Sequence, residues 1–247
     1  MLCLAESVIE LINYQTENAD TITQYRKPIV GFASAQDPLF TQMKEIIGPH
    51  HLHPTELLPD AQTVIAFFLP FDKALITANR KIPQIAREWA EAYLETNKLI
   101  ATISTELKRK LTAIGINVVT QPATHNFNEQ DLTARWSNKS VAYVAGLGTF
   151  GINHMLITPS GCAGRFGSTV ISAKIPPTPR PTLANCLFIR DSKCQFCVNN
   201  CPTGALTLQG IDKQRCYAHL LEVDKKFEDL GLCDVCGKCA VGPCASI

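Results

Sequence analysis

Hydrophobic residues in the first half of the chain recur at two spacings, one helical and one extended. Leu4, Val8 and Leu11 fall on one face of a helix. Residues 28–33 and 63–69 are instead short apolar runs bounded by proline and polar loops, which is typical of buried strands. The opening of the chain therefore predicts an amphipathic helix followed by two strands.

The longest helical pattern covers residues 83–111, where apolar side chains recur every three or four positions and Gly115 suits the stop. Residues 116–120 then predict a third strand. The order helix, strand, strand, long helix, strand favours an α/β layer in which helices cover a sheet. Between the first two strands, three histidines at positions 50, 51 and 53 are interpreted as part of a solvated loop rather than a metal site.

A glycine-rich stretch follows in the second half of the chain. Gly146, Gly148 and Gly151 form a GxGxxG pattern after an apolar run that predicts a strand. A dinucleotide fold also needs an acidic residue about 20 positions further on, yet the next one is Asp191, so NAD binding is rejected. The following GCAGRFGS is interpreted as a loop. The glycines indicate that backbone closely approaches a ligand or another chain segment.

Nine of the eleven cysteines lie between Cys186 and Cys244. The run CQFCVNNCP, which begins at Cys194, gives CxxCxxxCP, and this is three quarters of the bacterial ferredoxin motif. Asp191 stands where the first cysteine of that motif would be, and Cys186 is interpreted as its replacement. A second group consists of Cys216 and the closing CDVCGKCAVGPC. Two groups of about four thiolates are what two 4Fe-4S clusters need.

Two other uses of the cysteines are weighed against clusters. Zinc sites also contain CxxC pairs, but they hold those pairs closer together than Cys197 and Cys236 are. A disulfide framework is disfavoured because the count is odd and residues 1–15 read as a folded helix rather than a signal peptide. The longest apolar run, residues 64–71, is too short to span a bilayer. A soluble, cytoplasmic protein with no membrane partner is expected.

Charge is balanced over the whole chain but uneven in one segment. The chain has 23 basic and 22 acidic residues, yet residues 132–190 contain six basic residues and no acidic one. Such a region should attract an anion, either because it borders anionic clusters or because it holds a phosphate or nucleic acid. We expect an anionic cofactor, for example one that carries a flavin phosphate, at a site formed by Gly146, Gly148, Gly151, Asn153, Gly161, Gly164, Arg165 and Ser168.

These motifs together resemble a known family. The segments AGLGTFGINHMLI and GCAGRFGS, the run CxxCxxxCPTGAL, the lone Cys216 and the closing CxxC are similar to those of the epoxyqueuosine reductases and, more distantly, the reductive dehalogenases. The resemblance implies one cluster held by Cys186, Cys194, Cys197 and Cys244 and another held by Cys201, Cys216, Cys236 and Cys239. It leaves Cys233 without a cluster.

Some positions depart from the family pattern. Members that act on tRNA carry an acidic proton donor upstream of the AGLG segment, and here the nearest carboxylate, Asp131, is the candidate. Thr149 and Ile152 replace the family's Trp and Lys, whereas Asn153 is retained. The chain is expected to be a short member that lacks the helical-repeat extension of longer relatives.

On this resemblance we predict an α+β protein. Residues 1–180 would form an α/β sandwich-like domain of the cobalamin-binding type, and residues 181–247 a ferredoxin-like module with two 4Fe-4S clusters. The expected function is an iron–sulfur oxidoreductase that passes electrons from a low-potential donor to bound cobalamin, with a small molecule or RNA as substrate. A non-enzymatic electron-transfer or corrinoid-handling protein is the alternative, and a tRNA-modifying enzyme is a third interpretation.

Overall fold

A computed structural model describes residues 3–124 and 127–247. Its helices are α1 Leu4–Glu17, α2 Pro38–Ile46, α3 Pro54–Leu57, α4 Lys73–Lys81, α5 Arg87–Thr112, α6 Asn138–Val144, α7 Leu187–Asp191, α8 Phe196–Asn199 and α9 Lys213–Lys226, with 3-10 turns at Glu228–Leu230 and Lys238–Ala240. Its strands are β1 Ile29–Ser34, β2 Thr63–Pro70, β3 Val118–Thr120, β4 Phe127–Asn128, β5 Thr133–Ala134, β6 Thr149–Phe150, β7 Leu156–Ile157, β8 Gly164–Ile171, β9 Leu206–Thr207 and β10 Gly210–Ile211.

The largest sheet has four strands in the order β1-β2-β8-β3, and each neighbouring pair is antiparallel. Every residue of β2 is buried. Because side chains alternate along a strand, Ile65, Phe67 and Leu69 pack with α1 and α5 on one face. Val64 and Phe68 point to the other face, where they pack with α2 and α6. Helices therefore cover both faces of the sheet, as the order of elements predicts.

Two local predictions in the second half of the chain are wrong. The segment expected to be a glycine-rich loop contains the first five residues of β8, an inner strand of the sheet. The apolar run before the GxGxxG pattern is the helix α6 instead of a strand. Glycines hide β8 from a propensity argument because they usually weaken strands. Gly167 is required there, since a Cβ atom would lie 2.3 Å from the ring of Phe67 on the neighbouring strand. Tertiary packing has overridden local preference.

A third hydrophobic cluster joins the cysteine-rich end of the chain to the helices that precede it in sequence. Phe71 and Trp89 pack with Phe227, Cys233 and other buried residues beyond position 180. The two segments on either side of that position therefore share a core. Among the helices within residues 3–124 and 127–247, none combines the length and hydropathy that a membrane crossing needs.

Candidate metal centres and cofactor cavity

The first predicted set of cysteines surrounds a small cavity near the end of the chain. Cys186 precedes the first residue of α7, Cys194 and Cys197 lie at the start of α8, and Cys244 approaches from the C-terminal segment; all four line this cavity. Burial, with a further contribution from the neighbouring thiols of Cys244, Cys186 and Cys194, raises the pKa of Cys197 to about 11. Ionising these thiols together therefore needs a nearby cation to offset burial and mutual repulsion.

The second predicted set lies on the wall of a larger cavity of about 540 Å³. Cys201 follows α8, and Cys216 lies on α9. Cys236 precedes the last 3-10 turn, and Cys239 lies within it. Burial raises the pKa of Cys236 to about 11 and that of Cys239 to about 12, with neighbouring thiols adding to both shifts. Cys239 also borders the small cavity, so the two sets are adjacent.

The remaining cysteines of this region lie outside both sets. Cys233 is buried in the third hydrophobic cluster, where its thiol donates to the backbone oxygen of Ala90 at 3.6 Å. Cys162, to which the sequence assigned no role, is also buried, and its Sγ lies 3.8 Å from Sγ of Cys244. No spacing rule could have found that contact, because it joins residues 82 positions apart.

The cysteine thiols of both sets are soft donors, which suit zinc and iron–sulfur clusters. Within the described ranges, no three His, Cys, Asp or Glu side chains form a group that could hold a metal ion. A 4Fe-4S cluster places its irons at separate corners, so its four thiolates stand further apart than those around one zinc ion. Two adjacent sets of four soft thiols fit iron–sulfur clusters. The residue assignment to each cluster stays a prediction.

Cations and aromatic rings line the large cavity beside the second set. The Arg165 guanidinium lies over the ring of Tyr93 at 4.3 Å, and the Tyr93 hydroxyl donates to Asp234 at 2.6 Å. Nε of Arg165 is buried without a hydrogen-bond partner in the described structure. Lys139 donates to the backbone oxygen of His154 at 3.1 Å. Burial lowers the pKa of Lys139 and that of Arg165. A buried, unpartnered N–H beside an open cavity suits an anionic ligand.

Only part of the predicted cofactor set lines this cavity in the described structure: Asn153, Gly164 and Arg165. The glycines instead allow segments of the chain to approach one another. A Cβ atom on Gly148 would lie 2.2 Å from the Ile157 oxygen, and one on Gly161 would lie 2.2 Å from the Ala245 oxygen. A Cβ atom on Gly146 would clash with the Pro179 oxygen, and one on Gly151 would clash with Oδ1 of Asn153. Ser168 lies in the core, where its hydroxyl accepts from Trp136 and donates to Asn138.

Asp131 lies in the exposed turn between β4 and β5, apart from the described lining of the large cavity. Its carboxylate accepts from the hydroxyl and the backbone N–H of Thr133, and these bonds lower its pKa. The carboxylate is therefore ionised at neutral pH in this position. His51, expected in a solvated loop, is buried and stacks on Trp136 with ring centroids 5.8 Å apart.

No family model matches the chain. Curated relatives include epoxyqueuosine reductases from Bacillus cereus, 26% identical over 202 residues, and Staphylococcus aureus, 24% identical over 224 residues. These matches cover 74% and 81% of this chain but 49% and 54% of the relatives. The chain thus spans about half the length of the curated relatives it matches.

Solved structures show the same fold. An epoxyqueuosine reductase in complex with an epoxyqueuosine-modified tRNA-Tyr stem loop matches with a TM-score of 0.61 and 21% identity, over 90% of this chain and 58% of that one. The enzyme from Streptococcus thermophilus gives 0.60 and 16%, over 100% and 66%. A catabolic reductive dehalogenase gives 0.59 and 13%, over 86% and 28%. The chain is therefore similar in sequence to epoxyqueuosine reductases and shares the fold of these enzymes and of a reductive dehalogenase.

Proposed function

We propose that this chain is an iron–sulfur oxidoreductase that passes electrons through two 4Fe-4S clusters to a cofactor in the large cavity. The observation that carries this proposal is the placement of the second cysteine set on the wall of that cavity, with the first set behind it. A low-potential donor would deliver electrons to the first cluster. The second cluster would then lie beside the reacting cofactor.

Asn153 and Cys239 support this electron path because each borders both cavities. The Asn153 amide donates to the Cys239 backbone oxygen at 3.0 Å, which holds the glycine-rich segment against the cysteine loop. Such a contact keeps the distance between the two cluster sites fixed. Short, fixed distances favour electron transfer between the clusters and the cavity.

A corrinoid is the cofactor that we propose for the cavity, and a flavin is the other candidate. When bound, the corrinoid would supply a metal centre for reductive chemistry, while the protein sets its position and surroundings. Arg165 and Lys139 would bind anionic groups, and Trp136, Phe166 and Tyr93 would contact planar or apolar parts.

The proton donor and the substrate complete the proposal. Asp131 would donate a proton only after its turn moves toward the cavity; in an epoxyqueuosine reductase from Bacillus subtilis, the catalytic loop is swung out of the active site. A relative's structure contains a tRNA stem loop, so RNA is one proposed substrate class beside a small molecule. Clusters and free thiols of this kind suit the reducing cytoplasm.

The test begins with iron and sulfide analysis of protein purified without oxygen. We expect about eight irons and about eight labile sulfides per chain, as two cubanes require. Cys216→Ala should lose iron, whereas Cys233→Ala, which removes a buried thiol outside both sets, should keep it. Stoichiometric zinc without visible absorbance, or equal iron loss in both variants, would show that the cluster assignment is wrong.

The cofactor is tested separately by titrating the iron-loaded protein with cobalamin and with FMN. Arg165→Ala should weaken binding of the true cofactor, since it removes the buried guanidinium from the cavity wall. Binding of neither compound below roughly millimolar concentration would refute a cofactor site, because specific cofactors bind far more tightly. The protein would then be an electron carrier.

A further inference from the structure

Cys162 lies beside the first cysteine set without belonging to it. The residue is 0% exposed and packs in a small hydrophobic cluster with Ile157, Cys186 and Ala240. The described lining of the small cavity includes Cys186 and Cys244 but not Cys162. Cys162 is therefore a buried thiol outside the proposed ring of ligands, and its contacts rather than ligation must define its role.

The backbone holds Cys162 against the segment that carries Cys244. The N–H of Cys162 donates to the Cys244 oxygen at 2.9 Å, and the N–H of Ala163 donates to the Ala245 oxygen at 3.2 Å. Gly161 allows this approach, because it has no Cβ atom to meet the Ala245 oxygen. The two chain segments are paired over consecutive residues, so the side chains of Cys162 and Cys244 are held in one relative position.

Three polar groups lie 3.8 Å from the Cys162 sulfur: Sγ of Cys244, the backbone oxygen of Ala240 and Nδ2 of Asn153. The amide nitrogen of Asn153 can only donate, so it uses the sulfur as an acceptor. The Cys162 thiol proton is then left to point at either Ala240 or Cys244. The hydrogen bond that it makes depends on which of these two is the better acceptor.

Iron ligation of Cys244 would decide between the two acceptors. A cysteine bound to iron is a thiolate, which carries negative charge and has no proton to donate. Hydrogen bonds to a charged acceptor are stronger than those to a neutral carbonyl oxygen. A thiol buried among apolar side chains keeps its proton, and a second thiolate beside Cys244 would add repulsion. In the iron-loaded protein Cys162 is therefore the donor and Cys244 the acceptor.

Asn153 connects this contact to the second cysteine set. The amide nitrogen that donates to the Cys162 sulfur also donates to the Cys239 backbone oxygen at 3.0 Å. Cys239 borders both cavities, and Cys244 lines the small one. Cys162 and Asn153 thus form a polar bridge between one proposed ligand of each cluster.

From these contacts we propose that Cys162 is a positioning residue whose S–H donates to the Cys244 sulfur and raises the reduction potential of the first cluster. Reduction adds negative charge to a cluster, so a donor to one of its ligand sulfurs stabilises the reduced form more than the oxidised form. This inference rests on the proposed function, because it requires Cys244 to ligate iron. It gives a role to a thiol that belongs to neither set.

The experiment measures the midpoint potentials of iron-loaded protein, prepared without oxygen, in redox titrations followed by electron paramagnetic resonance. Cys162→Ala removes the donor, so one of the two potentials should become more negative. The equilibrium between reduced and oxidised forms should shift about threefold, the size of effect expected from one hydrogen bond. For a one-electron couple this is about 28 mV, at about 59 mV for each factor of ten. Cys162→Ser keeps a donor of similar size and should restore the potential.

Cys233→Ala is the matched control. Cys233 is also a buried thiol that donates to a backbone oxygen, that of Ala90, and it lies outside both sets. Its replacement should leave both potentials unchanged. Iron analysis of the same samples tests whether Cys162 itself ligates iron. Cys162→Ala should keep about eight irons, and a loss of iron would overturn the positioning role.

Two other results would overturn the inference: equal potentials in the unchanged protein and Cys162→Ala, or a serine variant that behaves like the alanine variant. Either result would leave the two-cluster proposal intact, because the unchanged protein would still contain its iron and its resonance signals. Unchanged protein that binds no iron would refute the proposed function and this inference together. Iron content therefore distinguishes the two failures.

Discussion

Lys238 provides the sharpest test of how the cysteine-rich end is held in place. It lies between Cys236 and Cys239 and is 3% exposed. Its ammonium group donates to the backbone oxygens of Asn79 and Ile82, at the C-terminal end of α4. A cation is favoured there because the last carbonyl groups of a helix lack partners within the helix. The side chain therefore ties one proposed cluster loop to a helix far earlier in the sequence.

Lys238→Met removes this tie while keeping a side chain of similar length. A hydrogen bond from a charged donor contributes about 1.5–3 kcal/mol, and the oxygen of the buried Asn79 would be left without that bond. Ile82 is 42% exposed, so water can replace its bond. Methionine avoids the cost of burying an ammonium group, which already lowers the pKa of Lys238. We expect a net loss of about 1–3 kcal/mol.

The assay is denaturant unfolding of the iron-loaded protein without oxygen, together with the rate of iron release to a chelator. The variant should unfold at lower denaturant and release iron faster. Lys225→Met is the matched control, because Lys225 is an exposed lysine near the end of α9. If both variants differ from the unchanged protein by less than about 0.5 kcal/mol, the proposed tie contributes nothing and the argument fails.

Two further predictions concern backbone packing and pH. Gly161→Ala should displace the segment that carries Cys244 and lower the iron content, because its Cβ would meet the Ala245 oxygen at 2.2 Å. Gly115 is the control position, because it has a similar positive φ but no atom within 4 Å of an added Cβ. Iron analysis of Gly115→Ala should show no loss. Burial lowers the pKa of His51, so the unfolded chain binds its proton more readily, and the free energy of unfolding should fall as pH drops below about 6.5. Chemical unfolding of both proteins from about pH 7.5 to about pH 6 measures this dependence, and the free energy of unfolding should change less with pH in His51→Phe than in the unchanged protein. Equal slopes in the two proteins would contradict this.

The parts of the fold that sequence could predict are those with a strong local pattern. The strands β1 and β2, the first helix and the long helix α5 lie where their apolar spacing indicates. The inner strand β8 could not be predicted, because Gly164 and Gly167 are present for contacts with β2 that no local rule contains. Hydrophobic spacing indicates which face of a helix or strand is buried, but it does not indicate which other element packs against that face.

The same limit applies to the candidate site. The spacing of the cysteines predicts two groups, whereas the members of each set are implied by the resemblance. In the described structure, the members of each implied set line one cavity. The glycine-rich segments were correctly interpreted as close approaches, but sequence could not say to what; the approach of Gly161 is to Ala245 rather than to a cofactor. Cys162 and His51 were missed because their importance depends on burial and on partners distant in sequence.

The cysteine loops have little regular structure, so their positions must come from elsewhere in the chain. The end of α4 supplies much of this support: the Asn79 amide donates to the Cys236 oxygen at 3.1 Å, and Arg80 donates to the oxygens of Val241 and Gly242. Gly237 lies against the ring of Trp89, where a Cβ would come within 2.3 Å. Because these cysteine loops depend on helices from the first half of the chain, the cysteine-rich end cannot be treated as an autonomous ferredoxin. We therefore expect changes at α4 to affect iron retention even though α4 contributes no cysteine.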